Sequence, residues 1–200
     1  QEADLDPLTT SYSEYALNQI SEFANDKTKA QRDFWYEKLQ NPSTLELPTD
    51  RPRPSEKTTV GSHHKFQLNL ETINQLESFC REENVTPFMV LLANYQVLLS
   101  RYSGEKDILV GVPVANRYRS ELDNVFGYFV NTTVTRADLS QNSSFRELVQ
   151  SGKEDALNSY EYQSFPYEKI VEAINPERDQ SQSSIFQVVF SVINLANEPL

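Results

Sequence analysis

Residues 125–136 read Val-Phe-Gly-Tyr-Phe-Val-Asn-Thr-Thr-Val-Thr-Arg, and this stretch decides the fold. A glycine between aromatic residues is followed by alternating β-formers, which predicts a strand entered through a tight bend. The two-residue period of a strand places Phe129 and Asn131 on one face, followed by Thr133 and Thr135. An unpaired buried amide costs about 1–3 kcal/mol, so Asn131 must either find hydrogen-bond partners or face a ligand.

The composition of the whole chain is that of a globular protein. Hydrophobic residues make up 38% of the 200 residues, and 18 basic against 29 acidic residues give a net charge of −11. This charge disfavours nucleic acid as a partner, because binding phosphates requires a basic face. No apolar run approaches the roughly 20 residues that cross a bilayer, and no signal peptide opens the chain, so we expect no membrane association and a cytoplasmic location.

Strand and helix patterns alternate along the chain. A proline-rich stretch at 41–54 holds four of the ten prolines and predicts an extended connector, because proline fixes φ and removes a hydrogen-bond donor. This alternation predicts an α/β layered fold with a mixed β-sheet flanked by helices. The predicted helices span residues 11–23, 29–39, 70–80, 88–101, 144–157 and 167–174, and the predicted strands span 61–70, 108–114, 127–136 and 185–192.

Few side chains in the sequence suit metal binding or nucleophilic catalysis. The only histidines, His63 and His64, are adjacent on a predicted strand and would point to opposite faces, which makes a poor chelating pair, so no metal site is expected. The single Cys80 excludes an intrachain disulfide and falls on the apolar face of a predicted helix, where packing in the core is expected. There is no glycine-rich phosphate loop and no Gly-x-Ser-x-Gly elbow.

Several segments together resemble the signature motifs of the condensation domains of nonribosomal peptide synthetases. The Val-Phe-Gly-Tyr-Phe-Val-Asn-Thr stretch resembles the fifth motif, and Tyr-Ser-Glu-Tyr-Ala at 12–16 resembles the fourth, with Glu14 in place of aspartate. Tyr-Gln-Ser-Phe-Pro-Tyr-Glu at 162–168 is similar to the sixth motif. The remaining resemblances are the spacer segments at 34–39 and 47–54, the strand at 111–117 that ends in an arginine, and the start of the seventh motif at 178–181, which departs from the family pattern at 182–184.

The histidine pair does not fit the catalytic motif of this family. Condensation domains work through His-His-x-x-x-Asp-Gly, whose second histidine is the general base for attack on a thioester. Here His63 and His64 are followed by Lys-Phe-Gln-Leu-Asn, without the Asp-Gly. The pair is therefore interpreted as part of an ordinary strand, and no catalytic residue is assigned in this chain.

The resemblance implies a chloramphenicol-acetyltransferase-like fold of two lobes, with a tunnel between them that carrier-bound pantetheine arms enter from opposite ends. We expect a helical segment at 1–40, the Pro-rich connector at 41–60, and at 61–200 a C-terminal lobe that is incomplete at its C-terminus. The implied reaction forms an amide bond between carrier-bound aminoacyl or peptidyl thioesters, with this piece supplying a tunnel wall. No cofactor would bind directly, since the substrates ride on phosphopantetheine. The implied partners are the N-terminal lobe, the donor and acceptor peptidyl carrier proteins and a neighbouring adenylation domain.

The resemblance also suggests residue roles. Asn131 would face the tunnel beside Phe129 and Gly127 and orient the substrate or the tetrahedral intermediate, since preorganised donors stabilise developing charge. Gly127 would allow a close backbone approach at the bend. Arg117 would pair with the aspartate of the missing histidine motif and act as a structural brace. The residues expected to act as scaffold are Pro166, Glu168, Arg178 and Asp179.

Other readings remain open from the sequence. A lobe without its histidine could serve as a non-catalytic carrier-protein docking or binding module. An epimerisation domain has the same fold, although its counterpart of the fifth motif does not normally read Phe-Val-Asn-Thr. A heterocyclisation domain differs chiefly in the third motif, which is outside this chain. A free-standing acyltransferase that uses coenzyme A is the weakest alternative, because it would need its own histidine motif.

Overall fold

The computed structural model of the chain describes residues 7–24, 28–52, 54, 60–141, 144–174 and 185–193. Six α-helices and two β-strands lie within these ranges. None of the helices described there is long and apolar enough to cross a membrane. In chain order the elements are α1 (Tyr12–Ala24), α2 (Lys29–Lys38), α3 (Leu70–Glu83), α4 (Pro87–Ser103), β1 (Asp107–Val114), a short 3-10 helix (Ser120–Leu122), β2 (Asn131–Asp138), α5 (Phe145–Glu161) and α6 (Tyr167–Ile174).

The sheet contains both strand polarities, as predicted. β1 and β2 are antiparallel, in a register that runs from Asp107 opposite Asp138 to Val114 opposite Asn131. On the other side of β1, the Gly111 N–H donates to the Val188 carbonyl at 3.0 Å, and the Phe190 N–H donates to the Gly111 carbonyl at 2.9 Å. This second pairing is a parallel bridge, so β1 lies in the middle of a small mixed sheet.

Local sequence signals start the helices where they were expected. The Thr86 side chain accepts a hydrogen bond from the Met89 N–H, and Pro87 occupies the first turn of α4. Ser144 and Glu147 form a complete capping box at the start of α5. These caps satisfy backbone N–H groups that the first turn of a helix leaves unpaired.

Both faces of the sheet are covered by helices. One face packs Leu109 and Val134 against Trp35 of α2 and Ile170 of α6. The other face packs Ile108 and Val110 of β1 against Leu92 and Leu99 of α4, and Leu45 of the connector joins this cluster. The first half of the proline-rich connector therefore packs against the core, where Leu45 is only 3% exposed. Cys80 lies in the core, as expected, between α3, α4 and α5.

Three predicted strands differ from the structure. The strand expected from residue 127 begins only at Asn131, because its partner β1 ends at Val114 and offers no ladder further on. Residues 61–69, predicted as a strand, are extended but pair with no described strand, and Phe66 is 77% exposed. In the segment predicted as a strand at 185–192, the ladder is a single bridge at Val189, and only its start is buried.

Candidate functional site

Three segments that carry family-like motifs meet around one cavity of about 240 Å³. We call it the motif cavity. Helix α1 contributes one wall, the residues that lead into β2 contribute a second, and the turn before α6 contributes a third. Its lining residues are Tyr12, Tyr15, Gln19, Asn116, Tyr128, Phe129, Val130, Asn131, Thr132, Pro166, Tyr167 and Glu168.

Asn131 fixes the geometry of this cavity. Its Nδ2 donates to the Gln163 carbonyl at 2.7 Å and to the Phe165 carbonyl at 2.8 Å. Its Oδ1 accepts from the Tyr167 N–H at 3.1 Å. All three bonds fasten the first residue of β2 to the turn before α6. The polar residue in the strand thus finds protein partners, and it positions the wall of the cavity rather than presenting a free amide to it.

The close backbone approach expected at Gly127 is found against Tyr12. A Cβ atom at Gly127 would lie 2.3 Å from Tyr12 Cδ2, a distance that no real non-bonded pair of carbon atoms occupies. The Tyr12 hydroxyl donates to the Tyr128 carbonyl at 3.1 Å, which holds the ring over the bend. The packing of α1 therefore leaves no room for a Cβ at 127 unless the Tyr12 ring shifts.

Phe129 lies between the cavity and the loop that follows β1. Its ring is 3% exposed and lies 5.3 Å from the Tyr12 ring and 4.9 Å from the Tyr15 ring, centroid to centroid. The Arg117 guanidinium carbon lies 4.2 Å from the centroid of the Phe129 ring, within cation–π range. Phe129 thus belongs to a small aromatic core as well as to the cavity wall.

Arg117 organises the loop between the strands. Its Nη1 donates to the carbonyl of Leu122 and to that of Val125, the latter at 3.0 Å. These bonds hold the end of the short 3-10 helix and the approach to Gly127. Among the described residues Arg117 forms no ion pair, so the aspartate partner expected for it stays a prediction.

Asn116 is a buried residue of the cavity that the sequence did not single out. Its backbone has φ of +55°, in the left-handed region that asparagine tolerates, and its side chain is 4% exposed. The Nδ2 donates to the Tyr15 hydroxyl at 3.3 Å, and Gln19 Nε2 donates to the same hydroxyl at 3.4 Å. The Asn116 Oδ1 has no partner among the described residues. Burial raises the pKa of Tyr15, so its hydroxyl stays neutral.

The predicted scaffold residues divide into two pairs. Pro166 lines the cavity, and its carbonyl accepts from the Lys169 N–H at 3.0 Å and the Ile170 N–H at 3.2 Å, which starts α6. Glu168 also lines the cavity, in the first turn of α6. Arg178 and Asp179 lie outside the described residues. His63 and His64 are exposed in the 60–69 segment and do not line the cavity.

A second polar cluster, also missed by the sequence reading, anchors the far end of β2. Arg136 pairs with Asp107 through two contacts of 2.8 Å and donates to the carbonyls of Lys38 at 2.9 Å and Gln40 at 2.8 Å. Lys38 Nζ lies 2.6 Å from Asp155 Oδ1. No sequence signal could have found this cluster, because the carbonyls that Arg136 binds at the end of α2 lie 98 and 96 residues away in the chain.

Comparison with known proteins finds a matching family model and similar relatives. A family model described as the condensation domain matches residues 1–198. A linear gramicidin synthase of Brevibacillus parabrevis is 43% identical over 192 residues, which are 96% of this chain and 4% of that protein. Bacitracin synthase 2 of Bacillus licheniformis is 36% identical over 193 residues, 96% of this chain and 7% of that protein. The chain thus spans a small fraction of the length of these relatives.

Solved structures show the same fold. A four-domain nonribosomal peptide synthetase, holo-AB3403 bound to AMP and glycine, superposes with a TM-score of 0.81 at 28% identity over 86% of this chain and 13% of that one. The X-domain from teicoplanin biosynthesis superposes with a TM-score of 0.85 at 22% identity, over 93% of this chain and 43% of that one. The α/β fold is therefore the chloramphenicol-acetyltransferase-like fold of these domains, as predicted. With a family match along almost its whole length, this chain belongs to the condensation-domain family of nonribosomal peptide synthetases.

Proposed function

We propose that this chain supplies the C-terminal lobe of a condensation domain and forms one wall of its substrate tunnel. The complete domain would form an amide bond between aminoacyl or peptidyl thioesters held on carrier proteins. Membership of the family supports this reaction, as do the printed names of the relatives, which include linear gramicidin, tyrocidine and bacitracin synthases. The match to 43% of the X-domain chain is consistent with one lobe of two.

One observation carries the proposal. The segments that resemble the fourth, fifth and sixth motifs are distant in sequence, yet they enclose a single cavity. Asn131 holds two of them together through three hydrogen bonds. A site assembled by fixed backbone contacts can orient a reacting amine without reorganising during the reaction.

The other roles follow from the same geometry. We assign the general base to the histidine motif of the N-terminal lobe, because the exposed His63 and His64 lie away from the cavity lining. Within the described residues Arg117 uses only Nη1 for local carbonyls, so the rest of its guanidinium can reach an aspartate of that motif. Phe129 and Gly127 shape the wall, and Pro166 and Glu168 fix the turn.

The proposed partners are those of a synthetase assembly. They are the N-terminal lobe, donor and acceptor peptidyl carrier proteins and a neighbouring adenylation domain, with substrates carried on phosphopantetheine and no cofactor bound directly to this chain. We also propose a cytoplasmic location for the assembly. The net charge of −11 supports protein rather than nucleic-acid partners.

The test is a condensation assay with aminoacyl-loaded carrier proteins. The chain is assayed alone and with an N-terminal lobe supplied in trans, and product is expected only from the combination. Asn131→Ala in the combination should reduce turnover while the lobes still associate. Product from the chain alone would overturn the assignment of the general base and return attention to His63 and His64.

A docking module is the second candidate, and the exposed surface next to the cavity favours it. Phe126 is 98% exposed and Tyr128 is 76% exposed on the approach to β2. Exposed aromatic residues grouped on one loop mark interaction surfaces. The same assay separates the two functions, because a docking module would bind the N-terminal lobe or a loaded carrier protein without any amide product.

A further inference from the structure

Gln96 is a buried polar residue in the middle of α4 whose side chain finds no partner in the described part of the protein. Only 3% of the residue is exposed, and neither Oε1 nor Nε2 forms a hydrogen bond with a described residue. On the same side of α4, Leu92 and Leu99 pack against β1, so the carboxamide is surrounded largely by apolar groups. An unpaired buried amide is costly, and most such groups in folded proteins are satisfied by protein or by ordered water.

A small cavity of about 20 Å³ lies against Gln96, between α4, α5 and the edge of β2 that faces away from β1. We call it the Gln96 cavity. Two other buried side-chain atoms without partners, Asn116 Oδ1 and Arg119 Nε, are sealed, whereas both amide atoms of Gln96 keep some accessible surface. Because Gln96 is otherwise enclosed and lines this cavity, we infer that its amide opens into it.

The edge of β2 and helix α5 bring two further polar groups to the Gln96 cavity. The Arg136 N–H donates to Asp155 Oδ2 at 3.3 Å, so the backbone of Arg136 faces α5 and not β1. The N–H and the carbonyl of one strand residue point to the same side, so the Arg136 carbonyl also faces α5. Asp155 contacts Lys38 through Oδ1 at 2.6 Å, and a carboxylate offers about four acceptor positions, so it can accept another hydrogen bond.

The volume and the lining together select the kind of molecule that fits. An ordered water requires roughly 10–15 Å³ of such space and two to four polar partners. The Gln96 cavity offers about 20 Å³, which is enough for one water and too little for an organic group. Gln96, Arg136 and Asp155 all line it, and together they supply one amide, one carbonyl and one carboxylate.

We propose that the Gln96 cavity binds one ordered water, which accepts a hydrogen bond from Gln96 Nε2 and donates to the Asp155 carboxylate and the Arg136 carbonyl. This water joins α4 to the edge of β2 by polar contacts, in a region where the two elements otherwise meet through apolar groups such as Ala93 and Ala137. The site is a property of the fold, so it does not depend on the proposed function.

The experiment measures NOE and ROE cross-peaks between water and the methyl group of Ala137 in the isotope-labelled chain. Ala137 lines the Gln96 cavity, and its methyl protons do not exchange with solvent. A negative NOE to water therefore reports a proton that is held beside this methyl group for longer than the chain takes to tumble. We expect this cross-peak in the wild type. A crystal structure of the chain should show one water at about 2.7–3.2 Å from the Gln96 amide.

Variants assign the cross-peak to the proposed water. Gln96→Met keeps the length of the side chain without its polar atoms and should abolish the cross-peak, whereas a signal relayed by the Thr135 hydroxyl, which also lines the cavity, would survive. Gln96→Glu, protonated by burial, retains one O–H donor and one acceptor and should keep the cross-peak. Asn94→Ala is the matched control, because Asn94 lies exposed on the same helix outside the lining, and it should keep the cross-peak as well.

Three outcomes would overturn the proposal. They are the absence of the Ala137 cross-peak in the folded wild type, its persistence in Gln96→Met, and a crystal structure in which the Gln96 amide bonds directly to protein beside an empty cavity. If Gln96→Met does not fold, the wild-type crystal structure and the Gln96→Glu variant decide the question. Loss of the cross-peak in Gln96→Met alone, with the crystallographic water in place, would support the site.

Discussion

Near each end of β2, a polar side chain binds backbone carbonyls of a segment that is distant in sequence, but the surroundings of the two side chains differ. At its start, Asn131 binds the carbonyls of Gln163 and Phe165. Five residues later, Arg136 binds the carbonyls of Lys38 and Gln40. Each side chain fastens the strand to a distant segment of irregular backbone, so the strand is the common anchor of both.

The difference lies in what surrounds each anchor. Around Arg136 the charges are paired: Asp107 holds the guanidinium at 2.8 Å, and Lys38 contacts both Asp155 and the Ser159 hydroxyl, the latter at 2.7 Å. Burial lowers the pKa of Lys38 and raises that of Asp155, which shows that desolvation outweighs their mutual attraction. Around Asn131 there is a cavity with one buried acceptor, Asn116 Oδ1, unsatisfied within the described residues.

The comparison teaches how to separate structural polar groups from functional ones in this fold. A closed network in which each described charge has a partner contributes to specificity and stability. A fixed framework beside an open cavity is a candidate binding site. The substitutions below first disrupt the ion-pair network around Arg136 and then the contacts made by Asn131.

The largest effect is expected from breaking the ion pair between Lys38 and Asp155, in the network near Arg136. Lys38→Met leaves the Asp155 carboxylate largely buried without its partner and should lower the free energy of unfolding by about 3–5 kcal/mol. The double variant Lys38→Met with Asp155→Asn should recover most of this loss, because no uncompensated charge remains. Urea denaturation measures both.

The control for this prediction is an exposed pair of similar geometry. Lys169 and Glu172 lie 2.7 Å apart in α6 with half-exposed side chains, and Lys169→Met should change the free energy of unfolding by less than about 1 kcal/mol. A loss at Lys38 no greater than at Lys169 would mean that the closed network contributes no more than a surface contact.

The next largest loss of stability is expected at Asn131, beside the motif cavity. Asn131→Ala removes three hydrogen bonds and leaves two carbonyls short of donors, so we expect a loss of about 1–3 kcal/mol. Faster amide exchange in the first turn of α6 should accompany it. Asn94→Ala is the matched control, since Asn94 is exposed and makes one local bond to the Val90 carbonyl. Unchanged exchange at Tyr167 would contradict the assigned role of Asn131.

A smaller loss of stability is expected from a substitution in the wall of the motif cavity. Gly127→Ala places a methyl group against the Tyr12 ring and should cost about 1 kcal/mol, the low end for overpacking, because Tyr12 is partly exposed and can shift. Combining it with Tyr12→Ala should remove the penalty of the alanine. Gly61→Ala, with no atom within 4 Å of the new Cβ, is the control. Equal effects at the two glycines would rule out the close approach.

The smallest expected effect is a pH dependence of the free energy of unfolding, caused by Glu147 in the first turn of α5. Hydrogen bonds from Ser144 lower the pKa of Glu147 below its ordinary 4.5. The unfolded chain then binds more protons between the two pKa values, so the contribution of Glu147 is present above pH 4.5 and is lost as the pH falls through the folded value. The difference in unfolding free energy between wild type and Glu147→Gln should therefore shrink on acidification. If the difference in unfolding free energy between wild type and Glu147→Gln does not change with pH, this prediction is wrong.

The sequence predicted the parts of this fold that depend on neighbours in the chain. The start of α4 at Thr86 and Pro87 and the capping box at Ser144 were read correctly because their hydrogen bonds join residues three positions apart. The motif segments led to the correct family and fold. The roles of Asn131, Phe129, Gly127 and Arg117 in catalysis or lobe contact remain predictions.

The sequence reading failed where a partner had to be known. The alternating pattern at residues 61–69 resembles a strand, but a strand requires a ladder, and no described strand lies beside it. The pattern at 127–130 likewise continues past the last residue of β1 that could pair with it. Asn116 was overlooked because its importance lies in a left-handed backbone and a contact with Tyr15, which is 101 residues away.

The sequence by itself determined the helix starts, the approximate positions of β1 and β2 and the family, since these follow from local hydrogen bonds, residue period and motif order. Only the tertiary structure decided which polar side chains are satisfied. Asn131 finds its carbonyls 32 and 34 residues away, Arg136 finds one 98 residues away, and Gly127 meets Tyr12 across the loop. Burial and pairing depend on how distant segments pack, and that packing buries the amide oxygen of Asn116 without a partner among the described residues.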